Sequence, residues 1–149
     1  MINEDQELSK NFWLSAFAKS SDEPELVALT EFTEAQIARA GYFCKFLLQP
    51  LRDYIGPVGT TCGNRSMYND RVSTNKNSDH LWRDETESLA VDIRCKDLGK
   101  AFTWLIHHRA MFKMVYLDME QKFIHISALD TTRLAGRIFV KCGKKQVNL

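Results

Sequence analysis

No stretch of this sequence is apolar for long enough to cross a bilayer as a helix, which takes about 20 residues. Its first residues, Met1 to Glu7, are polar and acidic and lack the apolar core of a secretory signal. The expectation is a chain that starts in the cytoplasm and acts elsewhere, if it does, without a signal. Cysteine is sparse and scattered. Cys44, Cys62, Cys95 and Cys142 form no Cys-x-x-Cys pair, so reduced, buried or half-buried thiols are expected in place of a disulfide framework or an all-cysteine zinc site. An excess of either charge is missing too: 20 Lys and Arg face 19 Asp and Glu, a formal net charge of +1. Neither nucleic acid nor an anionic membrane is therefore implied as a partner. Repeats, low-complexity tracts and linker-like runs are absent, which leaves one domain over residues 1–149.

What is present suits a globular protein: 44% hydrophobic and 26% charged residues in a chain long enough to bury a core. Phe12, Leu14 and Phe17 suggest a short helix or turn within residues 9–20. Thr33-Glu34-Ala35-Gln36 has the form of a capping box. Ile37, Ala40, Phe43, Phe46 and Leu47 follow at helical spacing, with Pro50 expected to kink the helix and Gly56-Pro57 to end it. Strands are expected at 58–62, 89–93, 112–118, 123–127 and 136–142, and a second helix at 97–110 with Leu98, Ala101, Trp104 and Leu105 inward. Residues 63–87 read as a long polar loop. The pattern is α+β, a small, mainly antiparallel sheet with helices on one side.

A catalytic zinc site uses about three protein ligands and keeps a position for water. Of four histidines, His107 and His108 are adjacent on an expected helix, so their side chains diverge by about 100° and do not share a metal. His80 lies in the polar loop and His125 in a strand. Alternation sends Ile124 and Ile126 to one face and His125 to the other; it places Asp118 with His125 and separates Asp92 from Leu89, Val91 and Ile93. Half-polar strands are ordinary, so the alternation alone leaves a metal site and a solvated polar face both open.

Several stretches occur in a familiar order: Leu8-Ser9-Lys10-Asn11-Phe12-Trp13-Leu14-Ser15, Leu48-Gln49-Pro50-Leu51-Arg52-Asp53, Thr61-Cys62-Gly63-Asn64-Arg65-Ser66, Ser78-Asp79-His80-Leu81, Ala90-Val91-Asp92-Ile93 and Phe123-Ile124-His125-Ile126-Ser127. Together they resemble the zinc D-alanyl-D-alanine carboxypeptidases and phage L-alanyl-D-glutamate endopeptidases, metallopeptidase family fifteen, in its short single-domain branch. The resemblance implies that family's fold, shared with the hedgehog signalling domain, and a Zn2+ cofactor held by His80, Asp92 and His125. It makes Arg65 the site arginine and peptidoglycan stem peptides the substrate, cut at the cell wall or by a phage particle.

Three departures bear on that expectation. His80 and Asp92 are twelve positions apart where the family pattern has seven. The five extra residues must bulge away for Asp92 to reach the metal, and Glu87, at the family spacing, is the rival ligand. Lys122 stands where the family often has a carboxylate three positions before the last histidine. Asp118, at the end of the preceding strand, is the expected general base, with Glu120 in the turn its rival. Cys62 replaces the serine that usually opens the arginine motif; packing is its expected role, with an oxidation liability or an alternative soft ligand as the other readings. These departures keep two other readings open: a non-catalytic zinc-binding module beside other phage proteins, and a zinc-free scaffold with a satisfied polar cluster.

Overall fold

Alternating apolar residues make one face of a sheet, and helices cover it. In the computed structural model, which describes residues 5–20, 23–27, 30–65, 78–131 and 136–149, two short strands, β1 (Glu7–Ser9) and β2 (Phe12–Trp13), pair with each other. A 3-10 turn over Leu14–Phe17 follows, burying Leu14 and Phe17. The helix or turn expected within 9–20 is thus this turn, preceded by a strand pair that the sequence reading did not foresee.

After a single turn, α1 (Pro24–Val27), the capping box forms as written. The Thr33 hydroxyl accepts from Gln36 N–H and the Gln36 side chain accepts from Thr33 N–H, opening α2 (Glu34–Phe43). The helical phase then changes. Residues Cys44–Leu48 form a π turn that leads directly into α3 (Gln49–Ile55). Pro50 has no N–H to donate to the carbonyl four residues back, and its ring would strike that carbonyl in a regular helix. The wider turn accommodates it without breaking the rod. The shift buries Cys44, Leu47 and Leu48 and leaves Phe46 exposed, which corrects the inward placement that uniform spacing implied for Phe46. Gly56, at φ +94°, ends α3 where a side chain would be strained.

The main sheet has six strands in the order β3 (Val58–Cys62), β4 (Ala90–Cys95), β6 (Phe123–Ala128), β5 (Phe112–Asp118), β7 (Arg137–Cys142) and β8 (Lys145–Asn148). Every pair is antiparallel except β5 with β7. This is the α+β class expected, with a mostly antiparallel sheet. Helix α4 (Leu98–His107), capped by Asp97, ends earlier than expected, and Arg109–Met111 form a separate 3-10 turn. Val91, Ile93, Val115, Ile124 and Ile126 are fully buried in the core shared with the helices, together with Leu51, Ala101 and Leu105. Strand alternation therefore sends Asp92, His125 and Tyr116 to the opposite face. No described helix is long and apolar enough to cross a membrane.

Candidate metal centre

Register brings the site together. Asp92 is directly across from His125, His125 from Tyr116, and at the edge of the sheet Cys62 pairs with Asp92. A row of side chains thus crosses four strands on one face. His80 enters from above that row, in a 3-10 turn over Asp79–Leu81 capped by Ser78, whose hydroxyl accepts from His80 N–H. The β3 extension positions this turn. Gly63 N–H donates to Lys19 O, Asn64 N–H to Phe17 O and Arg65 N–H to His80 O. Gly63 lies so close to the Phe17 backbone that no Cβ fits there.

Three of the expected ligands meet. His125 Nδ1 lies 2.9 Å from Asp92 Oδ1, His80 Nε2 lies 3.3 Å from the same oxygen, and the two imidazole nitrogens are 3.2 Å apart. The outer nitrogens are engaged as well. His80 Nδ1 donates to Gly63 O at 2.8 Å, and His125 Nε2 is 2.9 Å from Ser127 Oγ, a fully buried hydroxyl. A carbonyl only accepts, so His80 must carry a proton on Nδ1 and presents Nε2 to the cluster. The Ser127 hydroxyl both donates and accepts, so it serves either tautomer of His125. Both ring nitrogens that face inward are therefore available as ligands. Tyr116 stacks on His125 with ring centroids 4.7 Å apart and on Phe139 at 4.8 Å, closing the row with a rigid aromatic wall.

Electrostatics follows from this crowding. Burial alone would push the His80 imidazole down, but the Asp92 carboxylate outweighs it and holds His80 up at about 10. Burial would raise Asp92; the charge on His80 and the hydrogen bonds from both imidazoles instead hold its carboxyl well below the usual range. Burial keeps His125 below its ordinary value, only partly offset by Asp92. Without a metal, the cluster is thus an imidazolium–carboxylate pair beside a neutral imidazole. Burial also raises the Tyr116 phenol, helped by the charges of Asp92 and Asp118 and opposed by that of Arg65.

The extra residues between His80 and Asp92 do not simply bulge outward. Trp82, at a left-handed φ of 50°, is 1% exposed and lies between Phe17 and Phe32, its ring centroid 5.3 and 5.5 Å from theirs. Its indole N–H donates to Ala90 O, and its own carbonyl accepts from Gln36 and Arg39. So bulky a residue persists in that conformation only where its surroundings over-determine it. Beyond it a turn over 84–87 faces solvent, held to α2 by Asp84 with Arg39 at 2.8 Å. Glu87 is exposed on that turn, and the structure places Asp92, not Glu87, against the imidazoles.

The other expected residues are placed less directly. Asp118 is on the same face, two residues along β5 from Tyr116, and is 3% exposed. Its Oδ1 accepts from Glu120 N–H at 3.0 Å and Gln121 N–H at 2.8 Å, bracing the β5–β6 turn. The Glu120 carboxylate lies beside Gly143 in the β7–β8 turn and is not gathered with the histidines. His107 is exposed, and His108 stacks on Trp104, so neither takes part. Of the polar loop expected over 63–87, residues 66–77 lie outside the described part.

Sequence reasoning missed one contributor. Lys113, at a bulge in β5, pairs with Asp130 at 2.7 Å and with Asp79, beside His80, at 3.1 Å, tying the histidine turn to the sheet. Strand alternation puts Ser127 on the face of His125, and the structure adds the bond between them. All four cysteines are free, and Cys62, His80 and Asp92 form a group whose ligand atoms lie within 4.8 Å of one another, suited to a metal ion. A groove of about 540 Å3 lined by Tyr42, Phe46, Met111 and Leu129 lies elsewhere and contains none of these ligands. The chain matches no protein-family model, no curated protein and no solved structure.

Proposed function

We propose that this protein is a zinc-dependent peptidase acting on stem peptides of bacterial peptidoglycan, with the metal held by His80 Nε2, Asp92 Oδ1 and His125 Nδ1. One observation carries the reading: two imidazoles and a carboxylate converge within 3.3 Å of one another, with the outer nitrogens of both rings already bonded. Those separations approach the edge of about 3.3 Å expected for a tetrahedron with zinc bonds of about 2.0 Å. The donor set also fits. Two nitrogens and one oxygen leave a fourth position for water, as catalytic zinc sites do. Bound there, zinc would bring the pKa of a water toward about 7 and polarise a carbonyl.

The remaining groups then have defined tasks. Asp118 takes the proton of the attacking water and returns it to the leaving amine. Its Oδ1 is engaged by two turn amides, so Oδ2 is the oxygen for that work. Arg65 pairs with a substrate carboxylate or with negative charge developing on the scissile carbonyl. The restriction to substrates with D-amino acids, cut as carboxypeptidase or endopeptidase, rests on the family resemblance of the motifs.

A second reading, a metal-binding module without catalysis, is favoured by one observation: the turn-bracing bonds give Asp118 a structural task of its own. A single experiment separates the two. Zinc-loaded wild type should release new amino groups from purified peptidoglycan or a D-alanine-terminated peptide. Asp118→Asn, at equal zinc content, should lose on the order of 10²–10⁴ in rate. Zinc-loaded wild type with no activity on any stem peptide would leave the binding module in its place.

A further inference from the structure

Cys62 is a buried thiol, 8% exposed, outside the hydrophobic cluster that contains Cys44 and that Cys95 packs against. Its Sγ is 3.8 Å from His80 Nδ1 and belongs to the group with His80 and Asp92 whose ligand atoms lie within 4.8 Å of one another. A buried cysteine ordinarily behaves as a small hydrophobe, and this one is placed among metal-binding side chains.

Its backbone is fixed. Cys62 is paired with Asp92 just past a register shift in β3, the kind of irregularity that re-aims a side chain. The next residue, Gly63, is held by its bond to Lys19 O, by the lack of space beside Phe17 and by the bond from His80 Nδ1 to its carbonyl. The thiol therefore stands on the segment that orients His80, on a part of the chain with little freedom to turn away.

We propose that Cys62 is a fourth ligand of this centre, adding a thiolate to His80, Asp92 and His125 and making the site selective for soft, thiophilic divalent cations over magnesium or calcium. The inference rests on the metal-site reading above and sharpens it. A tetrahedral shell with bonds of about 2.0–2.3 Å has edges of about 3.3–3.8 Å; Cys62 is within 4.8 Å of a ligand atom of His80 and of Asp92, and joining His125 as well requires its thiol to turn further toward that ring. On binding, the S–H bond breaks, its proton goes to solvent and a metal–sulfur bond forms. With the thiolate bound, a water would enter by expansion to five-coordination, which catalytic zinc sites reach in the transition state.

The test uses the purified full chain loaded with cobalt(II) in place of zinc. A thiolate-to-cobalt charge-transfer band should appear in the near-ultraviolet spectrum of wild type and vanish in Cys62→Ser. The other three cysteines are present in both proteins, so the loss isolates Cys62. Zinc affinity, measured by competition with a chromophoric chelator, should fall in Cys62→Ser by about ten- to a hundredfold, the scale of perturbing a ligand's surroundings, or by more. Cobalt bound one to one without that band, or with a band unchanged in Cys62→Ser, would overturn the proposal and leave the three-ligand centre standing. Failure of wild type to bind cobalt or zinc at all would overturn both.

Discussion

Consider Ser127→Ala, which removes one oxygen and changes no ligand. Ser127 is fully buried and its Oγ is 2.9 Å from His125 Nε2. When Nδ1 binds a metal, the ring proton must reside on Nε2, and without Ser127 that N–H faces an apolar methyl. A buried donor stripped of its acceptor costs about 1–3 kcal/mol. In the metal-free protein His125 donates from Nδ1 to Asp92, and its Nε2 needs only a donor, a loss at the weaker end of that range. The penalty therefore falls more heavily on the loaded state, and zinc affinity should drop by about ten- to a hundredfold. Competition titration gives the affinity, and thermal melts with and without zinc give the two stabilities. A melting temperature lowered equally in both states, with unchanged affinity, would show that Ser127 merely packs and would refute the reasoning.

The pH dependence has a definite sign. Because the folded His80 is raised to about 10, the stability its pair with Asp92 adds to the metal-free protein is complete below about 6.5 and lost as pH rises through about 10. Zinc must displace the same proton, so apparent affinity should climb by about tenfold per pH unit for each proton released over that interval, and pH-dependent titration reads it directly. Trp82→Ala empties the space between Phe17 and Phe32 and should cost about 3–5 kcal/mol in chemical denaturation; a cost below 1 kcal/mol would mean the indole is no anchor. Gly63→Ala should destabilise the fold and weaken zinc binding together, since the new Cβ meets the Phe17 backbone and displaces the carbonyl that orients His80. Normal zinc affinity in that variant would contradict the coupling.

The strands that carry Asp92 and His125 were legible because a period of two separates Val91 and Ile93 from Asp92, and Ile124 and Ile126 from His125, over consecutive residues. The capping box at Thr33 was equally local. Non-local features were not legible. Phe46 fits the helical stripe, and only the π turn demanded by Pro50 turns it outward. The parallel pairing of β7 with β5, and the short β8 behind it, depend on a connection that carries the chain across the sheet, which no local pattern records. In the site, residue types gave the ligands but not their supports. Gly63 O is a backbone atom, Lys113 reaches Asp79 through a bulge, and Trp82 looked like part of a solvated insertion until Phe17 and Phe32 closed around it.

Trp82 has a consequence beyond packing. It follows His80 by two residues, and it is clasped by side chains from the first third of the chain, including Phe17, Phe32 and, through its carbonyl, Gln36 and Arg39. Opening that amino-terminal region would release Trp82 and with it the histidine turn. Any ion bound only by the closed form then adds its binding energy to the cost of opening. The ion therefore acts as a lock on a segment it never touches. A protease that cuts near Phe32 would slow in proportion to metal occupancy, reporting on the centre through a residue that binds no ion.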